Sequence, residues 1–383
     1  MQNTSLDGDL DAADELSTVA AAAGSHSFRF TATAGGFFAV WIVNLFLSII
    51  TLGIYSAWAT VRKKRYFYAH TWVADANFEY HGNPIAILKG RLIAVAAFAA
   101  YSGVAHFMPK LAAAAAVVLF AAAPWLIARS MAFNAYNSSY RNIRFRFQAS
   151  YKDVLKGIWP FVLVLALAFF VPDWDPASKQ APPVSFWVVI GLQMLAIAAV
   201  YPYVVGSLKK LQVNHAQYGT AAFGTELGLG AFYKIYFLAL LILFGAALVA
   251  GAIGAGLAML SPMTVPVVIV AAYFAIGSLL LAYSKSRIGN LVFNNTRLDR
   301  QVSFISNLKL GKLAWIYMSN LFAILLSLGL AIPWAVVRVM RYRAECLSLQ
   351  TDVSLDKFIS GVSAQVGATG EELGEFFNID LSL

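Results

Sequence analysis

A chain of 383 residues that is 60% hydrophobic and only 12% charged, with a mean hydropathy of +0.68, cannot be an ordinary water-soluble protein, where about a quarter of residues are charged. Its net charge of +9 is unevenly spread: residues 1–25 and 351–383 each sum to −5, which leaves +19 on residues 26–350. The single cysteine, Cys346, excludes an internal disulfide and a metal cluster held by cysteines.

Residues 1–25 carry Asp7, Asp9, Asp11, Asp14 and Glu15 but no Lys or Arg. They lack the positive start and apolar core of a secretory signal and are expected to form a disordered acidic tail. Residues 351–383 form a second acidic tail, and 26–350 a repeat-built transmembrane domain. Within that domain apolar stretches follow one another at 37–59, 92–107, 111–127, 158–171, 184–205, 235–260, 265–282 and 313–337. A span needs about 20 apolar residues, so the shorter stretches must draw on their flanks or thin the bilayer. The expected fold is an all-α polytopic membrane protein with internal repeats, about eight apolar segments and short cytoplasmic β pieces. The connections 108–110, 172–183 and 261–266 are short or Pro-rich, whereas the others are long and basic. Lys/Arg bias in loops places the long basic connections in the cytoplasm.

Those basic connections repeat a pattern. Each begins at an aromatic residue: Trp58, Trp125, Tyr203, Tyr283 or Trp334. Four residues on stand Arg62, Arg129, Ser207, Arg287 and Arg338, and twelve residues on stand His70, Asn137, His215, Asn295 and Cys346. Steps of four and twelve keep to one side of a helix. Each returning segment is therefore expected to run about three helical turns beyond the membrane and stop at a small polar residue. Short pieces with partial period-two alternation follow, holding Phe78, Phe145, Phe223 and Phe304. Strands this short are marginal alone, so they are expected to pair near the membrane with these phenylalanines turned onto the helix ends.

The first and last stretches match each other without a gap: Phe28 falls on Phe304, Gly35 on Gly311, Asn44 on Asn320, Gly53 on Gly329, Trp58 on Trp334 and Arg62 on Arg338. About two dozen residues between Gly35 and Trp58 suit one crossing by length. The shared basic signature at both ends instead argues that the chain enters and leaves on one side. A re-entrant dip broken at Gly53, and likewise at Gly329, reconciles the two; a single crossing is the alternative. Thr51 and Ser327 are expected to meet the backbone groups that such a break frees.

The block from Asn44 to Phe67, with its Thr51-Leu52-Gly53-Ile54-Tyr55, Trp58-Ala59 and Val61-Arg62, followed by Phe78-Glu79-Tyr80, Gly82 and Lys89-Gly90, resembles the YjgN family of bacterial inner-membrane proteins. The family favours Pro before the Trp; Ala57 stands there in the first copy and Pro333 in the second. The resemblance implies a multi-pass protein of the bacterial inner membrane and no activity, since the family is a domain of unknown function.

Few residues carry recognisable chemistry. His26, His70, His81, His106 and His215 form no i, i+4 zinc pair. The glycine run Gly251 to Gly256 lies inside an apolar stretch, where small residues let helices approach. No acid of residues 26–350 falls within a span, so a carboxylate proton relay is missing. The chain reads as no enzyme, with no cofactor and no metal. Asn44, Asn320 and Gln193 are the candidate intramembrane polar residues. Trp58, Arg62, Arg65, Trp125, Arg129, Trp334, Arg338 and Arg341 are the candidate interface and headgroup residues. Two functions fit: a transporter or channel for a small solute or lipid, or a non-transporting scaffold that binds anionic lipid through its basic layer. The expected partners are membrane lipids and not nucleic acid; the sequence sets no oligomeric state.

Overall fold

The computed structural model describes residues 24–168, 170–172, 174 and 181–366. One unit recurs five times: a strand, an outgoing helix, a returning helix and a second strand. After β1 (Gly24–Ser27), unit 1 comprises β2 (Arg29–Phe30), α1 (Ala34–Ile50), α2 (Ser56–Ala69) and β3 (Thr71–Val73). Unit 2 comprises β4 (Ala76–Tyr80), α3 (Pro84–Phe107), α4 (Pro109–Tyr136) and β5 (Ser138–Tyr140). In unit 3 the outgoing helix is split, giving β6 (Ile143–Phe147), α5 (Tyr151–Ile158), α6 (Pro160–Ala168), α7 (Val184–Asn214) and β7 (Ala216–Tyr218). Unit 4 is β8 (Ala221–Thr225), α8 (Leu229–Leu260), α9 (Thr264–Asn294) and β9 (Thr296–Leu298). Unit 5 is β10 (Val302–Ser306), α10 (Leu310–Leu326), α11 (Ile332–Glu345) and β11 (Leu347–Thr351). A last helix, α12, covers residues 355–366.

Local chemistry sets these boundaries. Thr33 Oγ1 accepts from Gly36 N at 3.1 Å and Asn83 Oδ1 from Ile85 N at 2.9 Å, each capping a helix start. Ser150 and Asp153 form a reciprocal capping box ahead of α5. The returning helices stop at the five polar positions twelve residues past the aromatic: His70, Asn137, His215, Asn295 and Cys346. Four of these stops turn back on their own helix: the side-chain amides of Asn137 and Asn295 donate to Phe133 O and Leu291 O, both at 2.8 Å, and the Nδ1 atoms of His70 and His215 lie 2.7 and 3.2 Å from Tyr66 O and Leu211 O.

The expectation of an all-α fold is corrected by the sheet. All eleven strands join one antiparallel sheet in the order β1-β11-β10-β9-β8-β7-β6-β5-β4-β3-β2. Its two end strands, β1 and β2, are consecutive in the chain and separated only by Phe28. One extended segment therefore pairs with β11 along its first half (His26 opposite Leu349) and with β3 along its second (Arg29 opposite Trp72). The sheet is thereby brought round into a near-closed barrel, its two ends joined through this one segment. Within a unit the two strands pair beside the helices, as Glu79 does with Ser139. Between units, tight turns join them at the far end, as from Val73 to Ala76. Ala74, Asp75, Arg141, Asn142, Asp299 and Arg300 all take positive φ in those turns, as hairpins with the native twist require.

The count of about eight apolar segments is also corrected. Among the described residues, five helices are long and apolar enough to cross a membrane: α3, α4, α7, α8 and α9. α1 and α10 have 17 residues each, and stretch 158–171 is interrupted at Trp159, where Pro160 has no N–H to continue the ladder. The helices form a ring in which α2 meets α3, α4 meets α5, α7 meets α8, α9 meets α10, and α11 closes back on α1.

The main core fills the barrel. Val73, Tyr140, Ile143, Tyr218, Ala221, Leu298, Val302 and Leu349 line it, and Leu355, Phe358, Ile359 and Val362 of α12 pack against them from the turn end. Gly219 sits in a turn at φ +58°, and a Cβ there would lie 2.7 Å from Val362. Gly219→Ala is accordingly expected to lower stability by roughly 1–3 kcal/mol, because strain and overlap act together. Phe358→Ala is expected to cost more, about 3–5 kcal/mol. Gly256→Ala, in open space on α8, is expected to be neutral or slightly stabilising. Thermal unfolding of the three purified variants checks the order.

Candidate functional site

Two of the five helical hairpins are short, and the ring places them side by side. α1 ends in a turn where Gly53 N donates to Ser48 O at 2.7 Å and Leu52 N to Ile49 O at 3.1 Å, the Schellman pattern of a helix stop. The second copy repeats it, with Gly329 N on Ile324 O at 2.8 Å and Leu328 N on Leu325 O at 3.2 Å. Leu52 and Leu328 have positive φ, as do Gly53 and Gly329. Thr51 Oγ1 accepts from Tyr55 N at 2.9 Å and Ser327 Oγ from Ala331 N at 2.8 Å, so the next helix starts with its donors met. Leu52 and Leu328 form the tips and are each 94% exposed. At about 1.5 Å per residue, these tips lie only about 8 Å beyond the level of Trp58 and Trp334. The α8–α9 tip lies about 33 Å beyond Tyr283 by the same measure. The ring of helices thus has a low side at units 5 and 1.

The repeat places Asn44 and Asn320 equivalently, but their partners differ. Asn320 is buried; its Nδ2 donates to Ala335 O at 3.2 Å, and its Oδ1 accepts from Arg338 Nη1 at 3.2 Å. Arg338 also donates to Ser319 Oγ at 2.6 Å and lies over the Trp334 ring at 5.1 Å. In unit 1 the position of Ser319 is Val43 and that of Ala331 is Tyr55. Arg62 accordingly turns to the Tyr55 hydroxyl at 3.0 Å, Tyr55 stacks on Trp58, and the buried Asn44 Oδ1 has no hydrogen-bond partner. Gln193 is half-buried on α7, whose main helix neighbours are α5, α6 and α8 and not the helices of units 1 and 5 that carry the two asparagines.

The other collar residues are mostly committed to the scaffold. Arg65 Nη2 reaches Gly82 O at 3.5 Å and Arg341 Nη2 reaches Ala32 O at 3.0 Å. Trp125 and Trp334 are exposed, and Arg129 is engaged by a neighbouring group. Lys64 donates to Asn134 Oδ1 and lies 4.7 Å over the Tyr80 ring; burial holds its pKa below the usual lysine range. Burial likewise pushes the Tyr80 hydroxyl up to about 12, with Tyr68 adding to the shift and Arg65 opposing it.

A groove between α8 and α9 went unremarked in the sequence. It has a volume of about 470 Å³ and is lined by Ile235, Leu238, Leu241 and Ile242 with Lys234, Tyr283 and Arg287. A second groove of about 350 Å³ adjoins it at Lys234 and Arg287 and runs on to Asn290 and Asn294. The Arg287 guanidinium lies 5.9 Å from the Tyr283 ring centre.

Inside the barrel, Phe28, Phe78, Phe145, Phe223 and Phe304 stack in sequence at 6.3, 6.4, 6.4 and 6.2 Å. The expected contact with a helix end is made by Phe304, whose ring lies 6.5 Å from that of Phe293 on the last turn of α9; the five rings otherwise meet one another. Successive planes differ by only 12–29°, and the five half-buried rings pack against the barrel core. Beyond them the Tyr140 hydroxyl donates to Val73 O at 2.8 Å and the Tyr218 hydroxyl to Tyr140 O at 3.1 Å. At the turn end Arg141 bonds Asp356 of α12 and donates to Ala74 O at 2.7 Å, and Thr220 donates to Gln365 at 2.7 Å. The hydrogen bond and then the charge of Arg141 hold the Asp356 carboxyl below the usual carboxylate range.

Fold and site together define a class: polytopic membrane proteins in which five helical hairpins radiate from one closed barrel with an aromatic lumen. The profile of the family described as "Bacterial protein of unknown function (DUF898)" matches residues 25–376. The chain belongs to that family, and the resemblance to YjgN proteins holds. It is similar to the inner membrane protein YjgN of Salmonella typhimurium, at 24% identity over 86% of this chain and 89% of the relative. It is similar also to the protein of that name from Escherichia coli O157:H7, at 28% identity over 59% of each. No solved structure matches. The protein is thus an inner-membrane protein of the YjgN family.

The two asparagines are expected to part company on substitution. Asn320→Leu strips partners from Arg338 and should destabilise by about 1–3 kcal/mol, whereas Asn44→Leu removes an unpaired buried acceptor and should be neutral or stabilising. Unfolding of both variants in detergent checks this. The α12 latch carries a pH dependence. Because the folded Asp356 has a lowered pKa, its contribution is present above the unfolded value and is lost as pH falls through the folded one. Release of α12 to protease should rise in acid, and Asp356→Asn should reproduce that release at neutral pH.

Proposed function

We propose that the protein handles lipid in the inner membrane: its basic collar, on the cytoplasmic side, holds the anionic headgroups of the inner leaflet, and no solute passes through it. The observation that carries this reading is the combination of a low side and a sealed end. The short hairpins at units 5 and 1 face lipid only near the collar, while five stacked phenylalanines line the barrel and α12 packs against its core from the turn end. A solute path needs polar groups gathered along it, and Asn44, Asn320 and Gln193 are not brought to one place. A headgroup site needs cations at the level where helices leave the bilayer, and each Lys or Arg near an anionic leaflet contributes about 1 kcal/mol. Arg62, Arg129, Arg287 and Arg338 recur four residues past the exit aromatics.

Full-length protein purified from membranes is expected to carry anionic phospholipid above its share of the source bilayer, measured by mass spectrometry of the extracted lipid. Reconstituted into vesicles, it should add no ion or small-dye leak over empty vesicles. Lipid bound in bulk proportion, or a protein-dependent leak, would overturn the reading. Its sidedness is tested in a Cys346→Ser background by single cysteines at Arg141 or Asp299, which a reagent confined to the periplasm should not label.

A further inference from the structure

The five repeats allow the collar's cations to be compared position by position. Each unit after the first brings a Lys near the start of its outgoing helix: Lys89, Lys156, Lys234 and Lys312. Four units bring an Arg to the returning helix, and unit 3 has Ser207 there. In unit 1 no Lys stands at the outgoing position, and Arg62 is bonded to Tyr55. In unit 2 Arg129 is already engaged. In unit 5 Arg338 is held by Ser319 and Asn320, and Lys312 lies 4.7 Å over the Tyr342 ring. Unit 4 differs. Lys234 and Arg287 face the same two grooves, and the Arg287 guanidinium lies 5.9 Å from the Tyr283 ring of its own helix, which also lines the groove.

We infer that the groove between α8 and α9 is a binding site for one anionic glycerophospholipid of the inner leaflet. The inference rests on the proposed function above and names the site and the ligand class within it. Charge complementarity selects the occupant. Ile235, Leu238, Leu241 and Ile242 offer an acyl chain an apolar wall continuous with the membrane-spanning part of α8. Lys234 and Arg287 stand together at the barrel end of that wall, where a phosphodiester would sit. The guanidinium binds two phosphate oxygens in its planar fork, and the ammonium adds a point charge. Asn290 cannot serve the headgroup, because its amide is spent on Ser306 and Leu308. The site therefore reads negative charge and not headgroup detail, so phosphatidylglycerol should bind better than zwitterionic phosphatidylcholine of the same chains. A groove of about 470 Å³ is in the range of small-ligand sites and suits a single lipid.

The test is native mass spectrometry of the full-length protein in detergent, titrated with phosphatidylglycerol or phosphatidylcholine. Wild type should retain one phosphatidylglycerol selectively. Lys234→Gln with Arg287→Gln should weaken that retention roughly 30-fold, two juxtamembrane cations at about 1 kcal/mol each. The control pair Lys152→Gln with Arg300→Gln, one at the start of α5 and one in the turn after β9, both outside the groove, should leave it unchanged. Leu241→Trp keeps both cations and fills the wall, and it should also lose retention; unfolding temperatures report whether each variant is folded. If wild type shows no preference for the anionic lipid, the proposed function falls with this site. If the preference survives the double substitution, or falls equally with the control pair, this site is wrong and the general reading stands.

Discussion

Closure of the barrel is the constraint on which the other features depend. Its strands are two to five residues long, too short to hold as isolated hairpins in water. They persist because β3 to β11 each have a neighbour on both edges, and β1 and β2, on one segment, join the two ends. That condition is met only when Gly24–Ser27 finds Leu347–Thr351 at the far end of the chain. The pairing spans nearly the whole sequence, so the ring cannot be completed until the last unit is made, and contacts of such separation form slowly. Once closed, the barrel fixes where every helix begins and ends, and α12 covers its turn end with one apolar stripe.

A fivefold scaffold invites equal units, yet function here is more plausibly read from their inequality. Three hairpins are long and two are short, and the short pair adjoin only because the ring brings unit 5 round to unit 1. The same logic works at single positions. Val43 in place of Ser319, and Tyr55 in place of Ala331, redirect an arginine and leave Asn44 unpaired. Ser207 in unit 3 removes the cation altogether. A scaffold that holds equivalent backbones fixed lets each such change act alone, because the neighbours that would compensate are themselves held by the barrel.

Much of this was legible in the sequence, and what was not has physical reasons. The aromatic, cationic and polar positions at steps of four and twelve located the returning helices and their stops, since a helix of fixed length writes its period into the chain. The glycines at 53 and 329 marked the tips because positive φ favours them there. Barrel closure was hidden by distance: the strands pair across intervening helices, and turns such as Ala74-Asp75 and Arg141-Asn142 lack the Asn-Gly signature. The inward direction of the five phenylalanines was hidden because a strand turned by one residue exposes its other face, and both faces here have apolar surroundings. α12 was masked by the acidic composition of its tail, although Leu355, Phe358, Ile359 and Val362 keep helical spacing. The groove residues Lys234 and Arg287 were visible as members of their series. What set them apart was that both face one groove, which no sequence position displays.

The low side of the ring stands directly over the seam where the two chain ends meet, and this raises the question of what holds that seam. Long spans cannot, since neither adjoining hairpin has one. The bond is made beside the barrel instead, near the start of α1 and on α11. Phe30, Phe37, Phe67 and Val337 form a cluster joining units 1 and 5, with Val40, Trp41, Val336 and Met340 packed around it. Each such side chain contributes about 1.5–3 kcal/mol when fully buried, and Arg341 adds a bond from α11 across to Ala32 O. Seam strength and wall height are thereby separated: the packing that closes the ring lies beside the barrel, and the hairpin tips above it are free of any closing role. A low wall at this one place therefore costs the fold little.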